Sequence, residues 1–167
     1  VQGQKSVIQA ALKDSRLNVS AIGYVEAHGT ATPIGDPIEV SALSAAFADH
    51  TSTTQFCKLG SVKSNFGHLT AGAGVVGLIK CALAIDRGKI PQSINFESPN
   101  PERDLGNTPF VIADSTSDWS APRTQRIAGV SSFGIGGTNA HAILKGTDPG
   151  VLPDRMLTPQ WVPLCFS

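Results

Sequence analysis

The stretch Ile22-Gly23-Tyr24-Val25-Glu26-Ala27-His28-Gly29-Thr30-Ala31-Thr32-Pro33-Ile34-Gly35-Asp36-Pro37-Ile38-Glu39 carries the reading of the fold. Its first residues are β-rich and apolar. The chain then turns at His28 and Gly29, and a helix start follows. Asp36 reads as an N-cap, Pro37 suits the first helical position, and Glu39 completes a capping box. Val40, Leu43, Ser44 and Phe47 continue a mainly apolar helical stripe to about His50. In α/β sheets the end of such a strand is where ligands bind.

The same order recurs downstream. Cys57 to Val62 reads as a strand ending at Lys63, and Lys63-Ser64-Asn65-Phe66-Gly67-His68 forms a second histidine loop. Ala71 to Arg87 then reads as a helix apolar nearly all round, with Gly72, Gly74 and Gly77 along it. Each glycine costs a helix about 1 kcal/mol relative to alanine. Close packing is the compensation, so this helix is expected to be buried, with Gly88 as its stop. Upstream, Gln4 to Ser15 has helical spacing in Val7, Ile8, Ala11 and Leu12. Downstream, Pro91 to Pro109 is an extended connection and Phe110 to Ile112 a short strand. Arg126 to Phe133 and His141 to Leu144 read as paired strands joined by a glycine-rich turn. The order β-α-β-α followed by paired strands gives an α/β class with a mixed sheet. From Gly146 onward four prolines and little periodicity read as a linker or tail, which places the folded domain at residues 1–145 and the tail at 146–167.

Composition narrows the partners. The chain has 167 residues, 41% apolar and 16% charged, with 13 basic side chains balancing 13 acidic ones. That is an ordinary globular balance, and the neutrality argues against nucleic acid as a partner. The most apolar stretch, Ala71 to Ile79, is far shorter than the roughly 20 residues that span a bilayer, and Lys80 ends it. No segment reads as a signal peptide. A cytosolic location fits best. The three cysteines (Cys57, Cys81 and Cys165) are irregularly spaced and suit no disulfide framework. None has the helix N-terminus or neighbouring base that activates a thiol.

The candidate chemistry rests on the two histidine loops. His28 and His68 follow neighbouring strands at one sheet end, so both imidazoles can donate hydrogen bonds to a developing negative charge. A helix start after His68 favours its neutral form. Lys63 lies five residues before His68. Glu39, on the first turn of its helix, is expected to form a partly buried ion pair with Lys63 and so fix the His68 loop. Thr30 and Thr32 are placed to hydrogen-bond a polar ligand. The run Ser132-Phe133-Gly134-Ile135-Gly136-Gly137-Thr138 lacks the Lys-Ser/Thr of a phosphate loop and precedes a strand, not a helix. A turn that aims a backbone N–H at an oxyanion is the better reading. His28, Asp36 and His68 could form a two-histidine, one-carboxylate metal set, but no metal-ligand spacing accompanies them. No metal is expected.

Three stretches, Val25 to Leu43, Gly60 to His68 and Gly129 to Leu144, closely resemble the β-ketoacyl synthase (ketosynthase) domains of modular type I polyketide synthases. The resemblance runs from about Gly3 to Leu144 and covers only the C-terminal half of such a domain. It implies a thiolase-like fold, layered α-β-α-β-α and homodimeric in the full domain. It implies that His28 and His68 promote malonyl decarboxylation and stabilise the enolate, with Lys63 organising His68 and Glu39 as its acidic partner. Thr30, Thr32 and Phe133 match positions that bind the substrate's phosphopantetheine arm. The Ile135 backbone N–H matches one oxyanion-hole donor. The implied partners are an acyl carrier protein and the N-terminal half that bears the nucleophilic cysteine. No metal or organic cofactor is implied. The chain alone is then expected to be inactive. A non-catalytic scaffold or docking module, and a thiolase-type enzyme acting on CoA thioesters, are the alternatives.

Overall fold

Short apolar runs separated by amphipathic helices produce a sheet whose central strands are covered on both faces. The computed structural model describes residues 1–98 and 105–148. In chain order these form α1 (Gln2–Ser15), β1 (Ile22–Glu26), α2 (Gly35–Ala48), β2 (Cys57–Gly60), α3 (Lys63–Phe66) and α4 (Ala73–Arg87). Then come β3 (Lys89–Ile90), β4 (Phe110–Ile112), β5 (Ser117–Asp118), β6 (Ile127–Phe133) and β7 (Asn139–Lys145). Five strands make one sheet in the order β4-β2-β1-β6-β7, while β3 and β5 pair separately. Strands β4, β2, β1 and β6 are parallel and β7 is antiparallel to β6, which is the mixed sheet read from the element order.

The two faces have separate cores. Ile8 and Leu12 of α1, Leu43 and Phe47 of α2, and Val25 of β1 pack on one side. The Phe47 and Phe110 rings meet edge to face at 5.0 Å. Full burial of such a side chain is worth about 1.5–3 kcal/mol. On the other side Tyr24, Cys81, Ala84, Ile85 and Trp119 form the second core beneath α4. A register shift between Ile22 and Tyr24 turns β1 so that Tyr24 joins this second core.

Several boundaries differ from the sequence reading, each for a local reason. β2 stops at Gly60, because the next residues turn into the short α3. A 3-10 turn, Thr70–Gly72, precedes α4. Gly88 ends α4 in the left-handed region, with its N–H donating to the Ala84 carbonyl, as expected. The short β3–β5 pair has no period of its own to betray it. The reading of 146–167 as a tail falls outside the described residues from 149 onward.

Helix α4 is not buried all round. Its glycines do allow close approach: a Cβ on Gly74 would sit 2.8 Å from Ser132 Oγ, and one on Gly77 would sit 3.1 Å from Glu26 Cγ. The opposite face, however, leaves Val75, Leu78, Ile79 and Leu83 exposed. An apolar helix needs cover on two sides, and within the described residues the sheet supplies only one.

Candidate active site

The parallel strands β1 and β2 end side by side, with the Ala27 N–H donating to the Gly60 carbonyl at 2.7 Å. His28 follows at once, and His68 arrives after α3. The two rings meet edge to face with centroids 5.5 Å apart. The Phe133 ring lies 5.9 Å from the His28 ring, tilted against it. Burial, reinforced by the positive charge of Lys63 and by His68, lowers the His28 pKa to about 4. The His28 ring is therefore neutral at pH 7. His68 is more exposed. Its Nδ1 accepts the Thr70 N–H at 3.0 Å. In the neutral ring that bond puts the proton on Nε2, which makes Nε2 a donor.

Glu39 has a different job from the one expected. Its two carboxylate oxygens accept the backbone N–H groups of His28 (2.7 Å) and Gly29 (2.9 Å). Burial dominates these bonds and raises the Glu39 pKa to about 7. The capping box is thus absent. The helix begins at Gly35, whose N–H donates to Thr32 Oγ1 at 3.0 Å. Asp36 lies within the first turn, and its carboxyl faces the backbone N–H groups of Ala31, Thr30 and Thr32. The His28 and Gly29 N–H groups capture the Glu39 side chain, and the start of α2 becomes a clamp on the His28 loop.

The expected Glu39–Lys63 ion pair is also overturned. Among the described residues Lys63 makes no salt bridge. Both Glu39 oxygens are already engaged, so Lys63 feels Glu26, Glu39 and Asp36 only at longer range, and burial lowers its pKa. Lys63 lines a cleft of about 840 Å³ together with Thr30, Thr32, Asp36, Glu39 and His68. His28 stands against His68 and Phe133 rather than on that cleft's wall.

One residue beyond Phe133 the chain makes its glycine turn. The Gly134 N–H donates to the Thr138 carbonyl at 2.8 Å, and Gly137 takes a φ of +86°. The Ile135 side chain is fully exposed, and its N–H has no acceptor among the described residues. Cys57 and Cys81 are buried, and burial pushes both thiols well up. Cys165 lies outside the described residues.

A buried charge cluster beside the site was not read from the sequence. Glu26 Oε2 accepts the Tyr24 hydroxyl at 2.6 Å and pairs with Lys80 Nζ at 2.9 Å. Its Oε1 accepts the Val62 N–H. The signal was present: a carboxylate closes an otherwise apolar strand, and a single lysine interrupts an apolar helix. Two opposite charges in segments that must be buried have to find each other.

The mixed sheet flanked by helices is the thiolase-like fold of ketosynthases. The chain belongs to the β-ketoacyl synthase family: residues 1–97 match the model "Beta-ketoacyl synthase, C-terminal domain", and residues 99–165 match "Ketoacyl-synthetase C-terminal extension". It is 48% identical over 143 residues to a phenolphthiocerol/phthiocerol polyketide synthase of Mycobacterium tuberculosis, covering 85% of this chain and 10% of that protein. It is 42% identical over 145 residues to polyketide synthase PksN of Bacillus subtilis, covering 87% and 3%. Ketosynthase twelve of the bacillaene polyketide synthase from Bacillus amyloliquefaciens superposes with a TM-score of 0.85 at 43% identity, over 88% of this chain and 26% of that one. The chain is thus the C-terminal part of a polyketide ketosynthase domain. It spans about a quarter of that solved relative and a tenth or less of these two curated ones.

Proposed function

We propose that this chain supplies the two-histidine half of a ketosynthase site for decarboxylative Claisen condensation. In this reading the N-terminal half provides a cysteine that takes the acyl chain as a thioester. Malonyl carrier protein then loses CO₂, and the electron pair of the broken C–C bond becomes an enolate. The enolate attacks the acyl carbonyl, the cysteine thiolate leaves and is reprotonated, and the β-ketoacyl chain stays on the carrier. His28 and His68 donate to the thioester oxygen that becomes the enolate oxygen. The Ile135 N–H serves the tetrahedral oxyanion. Thr30, Thr32 and Phe133 border the phosphopantetheine arm. Lys63 raises the local positive potential, and Glu39 acts by holding the His28 loop. The observation that carries the proposal is the pair of histidine rings at 5.5 Å, one neutral by burial and the other with its Nδ1 occupied by a backbone N–H.

Further parts of the proposal concern assembly. The exposed α4 face is what an N-terminal half would cover, and the full domain is a homodimer served by an acyl carrier protein. Residues 1–145 make the folded unit and 146–167 a linker. The donors come from the chain itself, so we assign no metal or organic cofactor. No helix among the described residues is long and apolar enough to cross a membrane; we assign the protein to the cytoplasm. The chain alone forms no acyl-enzyme, because Cys57 and Cys81 are buried thiols and the sequence around Cys165 is no nucleophile turn. The test uses this chain assembled with its N-terminal half. His68→Ala should abolish malonyl decarboxylation while cysteine acylation, read by intact mass, persists. Unchanged decarboxylation sinks the assignment.

A further inference from the structure

The role that the sequence suggests for Glu39, fixing the His68 loop, has another occupant. The β2 ladder ends at Gly60, so the Val62 N–H is left without a strand partner just where the chain turns toward Lys63 and His68. Glu26 Oε1 takes that N–H. The same carboxylate holds Lys80, which lies on the helix that follows His68. Glu26 itself lies two residues before His28. One buried carboxylate thus ties the start of the His28 loop to the base of the His68 loop and to the middle of the helix that follows it.

We propose that Glu26 is the positioning residue of the His68 loop: oriented by Tyr24 and neutralised by Lys80, it anchors Val62 and so sets where Lys63 and His68 stand. Its importance to the reaction rests on the function proposed above. The Ser64 hydroxyl (3.0 Å to the Ser61 carbonyl) and the bonds to the Val62 carbonyl (2.9 and 3.1 Å) stay within the turn itself, and the bonds of the Ser61 hydroxyl are long. Ser61 Oγ donates to the Gly29 carbonyl at 3.3 Å, and the Lys63 N–H reaches Ser61 Oγ at 3.4 Å. Such contacts are weaker than a charge-assisted bond. The setting is also rigid. Glu26 is 2% exposed and the Lys80 side chain 10%. The Lys80 ammonium lies 5.5 Å from the Tyr24 ring centroid, and Gly77 lets α4 press on the Glu26 stem. A carboxylate enclosed this way has few other rotamers to visit, so the Val62 N–H is aimed at a fixed point.

Two double variants of the full chain isolate the anchor from the ion pair. Glu26→Gln/Lys80→Met removes both charges but keeps an acceptor for the Val62 N–H. Glu26→Met/Lys80→Met removes both charges and the acceptor. Replacing a buried pair by matched apolar side chains preserves folding in general, and unchanged amide protection in α1 and β6 serves as the folding control. In the Met variant, protection of the Val62 amide should fall by about tenfold or more relative to the Gln variant. Equal protection in the two folded variants overturns the proposal.

In the assembled ketosynthase, the Met variant should lose decarboxylation through kcat with little change in KM, and the Gln variant should recover it. Equal kcat in the two variants, in an assembly whose parent is active, also overturns the proposal. A parent assembly that folds, takes an acyl group on its cysteine and still does not decarboxylate malonyl carrier protein instead refutes the functional reading. The exchange result then still decides what holds the loop.

Discussion

The His28 loop is gripped along its length by α2, whereas the His68 loop is held at its base and left open beyond. Glu39 takes two backbone N–H groups of the first loop, Thr32 accepts the Gly35 N–H at the start of the helix that follows, and Asp36 faces the turn between them. The second loop has Glu26 at Val62 and the Thr70 N–H on His68, while Phe66, His68 and Leu69 are exposed. One histidine is thus positioned by its own βα unit. The other depends on a carboxylate from the neighbouring strand, held in turn by a lysine on the helix that follows its own loop. Two side chains with matching roles need not be equally secure. The less secure one shows where assembly can matter, because its loop leads directly into α4, whose outer face is exposed.

Breaking the anchor of the second loop should have the largest effect. Glu26→Ala leaves Lys80 charged, buried and unpaired, which costs about 3–5 kcal/mol; a fall in the urea midpoint of the chain measures it. Next comes a break in the first loop. Gly29 has a φ of +44°, and an added Cβ would lie 2.8 Å from Ser61 Cβ. Gly29→Ala should therefore cost about 1–3 kcal/mol, read by the same unfolding curve.

The electrostatics of the first loop make a subtler comparison. The Glu39 pKa is raised to about 7, so between its ordinary value and pH 7 the folded state binds more protons than the unfolded one, and stability falls as pH rises. His28 and His141 are lowered to about 4 by burial, so between pH 4 and their ordinary value the unfolded state binds more protons, and stability rises with pH. These slopes oppose each other in the parent. Glu39→Gln removes the negative one, and its stability should climb more steeply with pH between about 4.5 and 6.5, as equilibrium unfolding across that range will show.

The smallest effect on the chain itself belongs to the open face. Leu78→Ser should change its stability by no more than about 0.5 kcal/mol, yet weaken its association with the N-terminal half in titration calorimetry. Unaltered association would remove α4 from that interface.

Much of this architecture is legible from residue order. The turn at His28-Gly29, the glycine stop at Gly88 and the alternation of strand with helix rest on periodicity and turn chemistry, which act over a few neighbouring residues. So does the placing of His28 and His68 at corresponding points after parallel strands. That much the sequence determined by itself, because local rules do not depend on what lies across the fold. The tertiary structure alone decided which donors each buried carboxylate would meet. Asp36 and Glu39 carry the pattern of a capping box, but the folded loop brings the His28 and Gly29 N–H groups to the Glu39 oxygens first. Glu26 and Lys80 lie far apart in the chain and become partners only when α4 packs on β1. The same packing decided which side of an all-apolar helix would be covered. A buried charge takes the complementary group that three dimensions place within reach, and local spacing carries no record of that choice.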